Sequence, residues 1–114
     1  KRKKESMKEG IYTVVFESSL QAVGEGTVVV SDGKIHGGDI AFTCRGRVTL
    51  PVMELEVRHY NAEIPSALGM DGDYVLEMRY RETGGDEYHF TGHVKGEPGR
   101  RLSARARWLS PLLS

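Results

Sequence analysis

Apolar and polar residues alternate one by one along most of this chain, and no other feature limits its fold so sharply. In the clearest run, Val52 to Tyr60, Met53, Leu55, Val57 and His59 fall on one side and Glu54, Glu56, Arg58 and Tyr60 on the other. A period of two sends successive side chains to opposite faces of an extended strand, so this strand is buried on one face and wet on the other. The rhythm returns three times after Asp73. Tyr74, Leu76, Met78 and Tyr80 oppose Val75, Glu77, Arg79 and Arg81; Tyr88, Phe90, Gly92 and Val94 oppose His89, Thr91, His93 and Lys95; Leu102, Ala104, Ala106 and Trp108 oppose Ser103, Arg105 and Arg107. Near the start, Gly10 to Glu17 is apolar on both sides, with Tyr12, Val14 and Phe16 against Ile11, Thr13 and Val15. Its outer side is therefore expected to be covered, either by the Ile64 to Met70 segment or by a second subunit.

The turns between these runs carry their own chemistry. Asp32-Gly33 between Ser31 and Lys34 is the strongest hairpin signal, because both residues accept the positive φ of a two-residue turn. Gly84-Gly85 and the Gly96 to Gly99 stretch mark further reversals. Val23 to Ser31 reads as a β-branched strand, with Gly24 and Gly26 where a bent strand needs no side chain. Lys34 to Leu50 reads as one strand, bulged or closely crossed at Gly37-Gly38-Asp39. The alternation pauses only between His59 and Tyr74. There Pro65 and Gly69 bracket a single short turn of helix, whose Ile64, Leu68 and Met70 give it an apolar side. It is expected to lie against the outside of the strands as a lid or strut. Asp71-Gly72-Asp73 is read as a polar turn, since Val75 and the lack of a closing Glu break the calcium-loop pattern.

These elements predict an all-β chain: about seven or eight antiparallel strands in a meander closed into a small barrel, with one short helix. Residues 10–114 form the single barrel domain. Residues 1–9, which open on Lys-Arg-Lys-Lys, are expected to be a flexible basic arm, with Met7 as a candidate start. No apolar run approaches the roughly 20 residues of a bilayer-spanning helix and no secretory signal is seen, which predicts a cytoplasmic protein without membrane contact.

Composition removes several function classes. Sixteen basic and sixteen acidic residues cancel, so no global field draws the chain to nucleic acid. The single Cys44 excludes an internal disulfide and a Cys-rich zinc site; sharing a face with Ile40 and Phe42, it is expected to be a buried structural thiol. No Ser sits in a nucleophile elbow, and Gly37-Gly38-Asp39 lacks the Lys-Ser or Lys-Thr of a phosphate loop. No cofactor pattern is present. His89 and His93 share a strand face, but four residues of strand rise about 13 Å, too far for one ion. They read as solvent-facing imidazoles. His59 lies on an apolar face and needs a partner, expected to be a core tyrosine; beside Tyr60 it is the weak basis of any catalytic reading. Arg101, Arg105 and Arg107 form an outward stripe that suits an acidic partner or, favoured by the neutral overall charge, pairing with Glu residues on adjacent strands.

The predicted inward set is Phe16, Leu55, Leu76, Met78, Tyr80, Tyr88, Phe90 and Trp108. Such an interior either is filled or holds one small apolar ligand, and the sequence leaves that choice open.

The ordered residues also resemble a known family. Lys8-Glu9-Gly10-Ile11-Tyr12, Val15-Phe16, Gly24-Glu25-Gly26, Gly37-Gly38-Asp39-Ile40, Tyr60-Asn61, Glu63-Ile64-Pro65-Ser66, Leu68, Asp73-Tyr74, His93-Val94-Lys95-Gly96 and Pro111-Leu112 look like the GrlR family, negative regulators of bacterial type III secretion genes. The resemblance runs from about Met7 to Leu113, and Tyr-Asn-x-Glu-Ile-Pro-Ser is its most specific piece. It implies a lipocalin-like barrel that forms homodimers, has no catalytic activity, and restrains a helix-turn-helix transcriptional activator by direct contact. One departure stands out. Where the family's repressor carries an acidic loop suited to a basic DNA-binding partner, this chain reads Arg47-Val48-Thr49-Leu50-Pro51-Val52-Met53-Glu54, so that loop does not supply the charge complementarity here. Val15, Val48, Leu50, Ile64, Leu68 and Leu112 are the candidate dimer or partner contacts, since apolar patches on small domains commonly mark interfaces. The alternative reading is a lipocalin-like binder or sensor of a small apolar ligand.

Overall fold

The computed structural model describes residues 7–70 and 72–113. Eight strands follow one another: β1 (Gly10–Ser18), β2 (Val23–Ser31), β3 (Lys34–Gly38), β4 (Phe42–Arg47), β5 (Met53–His59), β6 (Tyr74–Gly84), β7 (Glu87–Val94) and β8 (Glu97–Ser110). Each pairs antiparallel with the next, and β8 returns to pair with β1. The sheet is a closed barrel, so no edge is left for another chain to extend.

Local chemistry accounts for the turns. Asp32 and Gly33 have φ of 53° and 72°, the conformation the Asp-Gly pair was expected to supply. The Lys34 to Leu50 stretch is two strands rather than one, because Asp39 reverses the chain: its Oδ1 accepts from the amides of Ala41 and Phe42, both at 2.8 Å. An Asp that satisfies two following amides stabilises a turn in place of a ladder. Ile40 is consequently carried out of the strand and stands 71% exposed. Gly24 lies directly opposite Phe16, and a Cβ there would meet the Phe16 ring at 2.4 Å. The glycine is the space that the ring occupies.

The expected short helix is absent among the described residues. Ser66 to Gly69 is a single turn in which the Gly69 amide donates to Ser66 O at 3.1 Å and the Leu68 amide to Ser66 Oγ at 3.0 Å. Three residues between Pro65 and Gly69 cannot repay helix nucleation, and the Ser66 hydroxyl takes an amide that a helix would have used. Asp71 lies outside the described residues.

The two ends of the barrel differ. At one end Tyr12, Val30, Ile35, Met53 and Tyr88 are buried and meet within the wall, with Tyr12 and Tyr88 ring centroids 5.9 Å apart. Met7 closes this end at 4% exposure. The Lys8 amide donates to Tyr88 Oη at 3.1 Å, the Lys8 carbonyl accepts from the Tyr12 hydroxyl at 2.6 Å, and Trp108 Nε1 donates to the Glu9 carbonyl at 2.9 Å. Met7 to Glu9 are thus part of the packed barrel rather than of an arm; residues 1–6 of that expectation lie outside the described residues. At the opposite end the connections β1–β2, β3–β4, β5–β6 and β7–β8 gather, and the long β5–β6 connection folds across them.

Candidate functional site: an apolar cavity under a lid

Beneath that lid the interior is not filled. A cavity of about 430 Å³ lies among inward side chains of the wall, including Val14, Phe16, Val28, Phe42, Cys44, Leu55, Tyr74, Leu76, Met78, Phe90, Leu102 and Ala104. Ala104 and Ala106 on β8 line it with single methyl groups, while the space at Gly24 on β2 is taken by the Phe16 ring. Its size falls in the range of small-ligand sites.

Of the predicted inward set, Phe16, Leu55, Leu76, Met78 and Phe90 line this cavity. Tyr80, Tyr88 and Trp108 do not. They stand at the filled end, where Tyr80 and Tyr88 pack edge to face at 6.1 Å and Trp108 faces the Lys8 ammonium 3.7 Å from its ring centroid. Alternation shows which face a residue takes and not which end of the barrel it reaches, so these three could not be separated from the rest. Phe42, Cys44 and Tyr74 were missed as lining residues; the signal was present for Phe42 and Cys44 in their shared face, but the turn at Asp39 hid the start of their strand.

The lid is fixed from four directions. His59 Nε2 lies 2.7 Å from the Ile64 carbonyl, which can only accept, so this nitrogen carries the proton. The His59 ring stacks on Phe42 at 4.3 Å. Its partner is therefore a lid carbonyl and a phenylalanine face, not the core tyrosine expected. Asp73 Oδ1 accepts from the His59 amide at 3.0 Å. Ser18, 5% exposed, donates from Oγ to the Ala67 carbonyl at 2.6 Å, and Arg100 Nη1 donates to the Leu68 carbonyl. Leu68 is inserted at 2% exposure into the core, and Ile64 borders the cavity. The lid plugs the end of the barrel instead of lying on its outside.

These positions sort the candidate contacts. Leu68 is buried and cannot meet a partner, while Ile64 and Val48 are half-buried against the interior. Val15 and Leu50 are exposed, at 48% and 46%, and Leu112 is half-buried. The outer side of Val15 is not covered by the Ile64 to Met70 segment.

The chemistry of the cavity is apolar. Among the described residues that line it there is no Lys, Arg or His; its acids are Glu25, exposed near the mouth, and Asp39, whose Oδ1 is taken by the two turn amides. Burial, with the Asp39 charge, pushes the Cys44 thiol up to about 11, so it stays protonated and unreactive at neutral pH. Burial also raises the Tyr74 hydroxyl, against the opposing effect of a hydrogen bond with Ser66. A neutral guest meets a mostly apolar wall whose polar members are Cys44, Tyr74 and Ser66, with Glu25, Thr27, Asp39 and Thr43 also in the lining.

On the outer wall His93 Nε2 sits 3.2 Å from Glu77 Oε1. No group of three or more His, Cys, Asp or Glu side chains that could hold a metal ion occurs among the described residues. No protein-family model and no curated protein matches the chain.

Proposed function

We propose that this protein is a non-enzymatic, cytoplasmic regulator that works by protein contact, a negative regulator of the kind the GrlR resemblance implies, with a helix-turn-helix activator of type III secretion genes as its expected target and a homodimer as its working form. The observation that carries the reading is where the most specific motif residues meet. Tyr60 donates from its hydroxyl to the Asp39 carbonyl, Asn61 Nδ2 donates to the Ile40 carbonyl at 3.4 Å, and the Tyr60 amide donates to the Ala41 carbonyl at 3.0 Å. The Tyr-Asn-x-Glu-Ile-Pro-Ser segment thereby clasps the Gly-Gly-Asp-Ile turn, some twenty residues earlier, at the mouth of one cavity. Motifs that support each other in space are a joint requirement of one architecture, whereas chance matches scatter. Leu20, Val23 and Ile40 around this mouth are 63%, 67% and 71% exposed. Native mass spectrometry of the protein drawn from its own cells tests the reading: a second polypeptide in the complex supports it, and a protein that carries none while its target genes stay unaffected by deletion overturns it.

A second reading, binding of a small apolar ligand, is favoured by the 430 Å³ cavity. With no cation to meet a carboxylate, the guest is a neutral apolar molecule rather than a fatty acid anion. Displacement of the dye N-phenyl-1-naphthylamine by neutral and anionic chains of equal length tests it; preference for the anion refutes the assignment of class.

A further inference from the structure

We propose that the outer face of β6, β7 and β8 is a docking surface for an acidic polypeptide segment of a protein partner. The inference deepens the protein-contact reading above and supplies the partner surface that the missing acidic loop leaves open.

The register places the charges. Arg81 on β6 stands opposite His89 on β7, and His89 stands opposite Arg105 on β8. The stripe of Arg101, Arg105 and Arg107 does not find the cross-strand Glu partners expected of it, because the neighbours of Arg101 and Arg105 on β7 are histidines. Glu87 is opposite Arg107, yet no ion pair forms there. Arg79, Arg81, Arg101, Arg105 and Arg107 are all exposed, and none makes an ion pair within 4 Å among the described residues. Elsewhere Arg45 on β4 is held by Glu56 on β5 at 3.0 Å; Arg47 and Arg58 on those two strands are likewise unpaired among the described residues, so what sets the β6 to β8 face apart is five such arginines on three adjacent strands. A neutral chain with as many acids as bases has therefore left one face cationic. Arg81 and Arg105 stand on either side of His89, with no acid opposite either of them, so an anionic segment laid across the three strands would meet both.

Shape narrows the occupant. The same face holds a groove of about 540 Å³ lined by Arg79, Arg101, Thr91 and Ser103 and by two acids, Glu17 and Glu77, the second engaged by His93. From Arg101 to Arg107 the strand runs about 20 Å, and β6 to β8 spans about 10 Å. This footprint fits five or six residues of extended chain. It does not fit duplex DNA, whose recognition draws on roughly 6–10 phosphate contacts.

The test is fluorescence anisotropy with two labelled probes, a hexaglutamate peptide and a short DNA duplex. Wild-type protein is compared with Arg81→Glu/Arg105→Glu and Arg79→Glu/Arg101→Glu. The control is Arg47→Glu/Arg58→Glu, which makes the same change in net charge on β4 and β5; circular dichroism confirms that each variant folds. The expected result is peptide binding that weakens with salt, falls about tenfold or more in each face variant, and changes less than about twofold in the control. No peptide binding by wild type, equal weakening by face and control variants, or tighter binding of the duplex overturns the proposal. Once a native partner is in hand, undiminished capture by the face variants overturns this surface while leaving the regulator reading intact; absence of any partner refutes that reading without altering the peptide result.

Discussion

Replacing Cys44 with leucine puts the empty interior to a test of sign. Cys44 lines the cavity, between Gly37 on β3, which presents no side chain, and Val57 on β5. The substitution adds two carbon atoms directed at the void. At about 0.8 kcal/mol per buried methylene the gain is at most about 1.6 kcal/mol. Fixing the leucine rotamer takes back about 0.5–1 kcal/mol, which leaves about 1 kcal/mol of net stabilisation. For a domain of this size that raises the melting temperature by about 4 °C. In a filled core the same insertion would cost about 1–3 kcal/mol through forced rotamers and backbone shifts. The two expectations differ in direction, so thermal melts followed by circular dichroism decide between them without calibration. Urea midpoints give an independent check. The variant should also bind N-phenyl-1-naphthylamine more weakly, because the added methyl groups occupy the guest's space. A lowered melting temperature in a variant that still folds would refute the reasoning: it would mean that the wall around Cys44 is already in contact with itself.

Three more expectations follow from the same geometry. The Cys44 thiol titrates near 11 when folded against 9.0 for the free group, so between those values the folded state holds a proton that the unfolded state has lost. Stability should therefore fall as pH rises through that window, and denaturant titrations should show a smaller fall in Cys44→Ala. His59→Phe keeps an aromatic ring over Phe42 but leaves the Ile64 carbonyl without its donor; it should cost about 1 kcal/mol and speed dye release in stopped-flow measurements, and unchanged release would mean that the lid does not gate the cavity. Leu50→Glu and Leu112→Glu, at the end of the barrel opposite the lid, should convert the proposed homodimer to monomer in light scattering at unchanged melting temperature, and a persistent dimer would remove that end as the seam.

Most of the wall was legible in the sequence because alternation is a local signal. Met53 to His59 and Leu102 to Trp108 announce their inner faces by period two alone, and Asp32-Gly33 announces its turn. What failed was the chemistry of single side chains acting across the chain. The carboxylate of Asp39, by taking two amides, split one expected strand into two and moved Ile40 from wall to rim. The Ser66 hydroxyl displaced a helical turn in the same way. Met7 to Glu9 looked like a basic tail, since nothing nearby in sequence reveals that Tyr12, Tyr88 and Trp108 wait to bond their backbone. The cavity was undecided for a related reason. Period two places Gly24, Ala104 and Phe16 alike on the inner face, but whether their volumes fill the barrel depends on which of them share a level, and that is set by strand register.

The pairing of β1 with β8 joins residues almost the length of the chain apart, and this sets a clock on the protein's birth. At about 5–20 residues per second of synthesis, β1 leaves the ribosome roughly 4–18 s before β8 exists to meet it. Throughout that interval the doubly apolar strand from Gly10 to Ser18 has β2 on one side and an unsatisfied backbone on the other. A cell making this barrel must therefore shield one sticky edge for seconds per molecule, and slow codons between β7 and β8 would lengthen the exposure without altering a single residue of the finished wall.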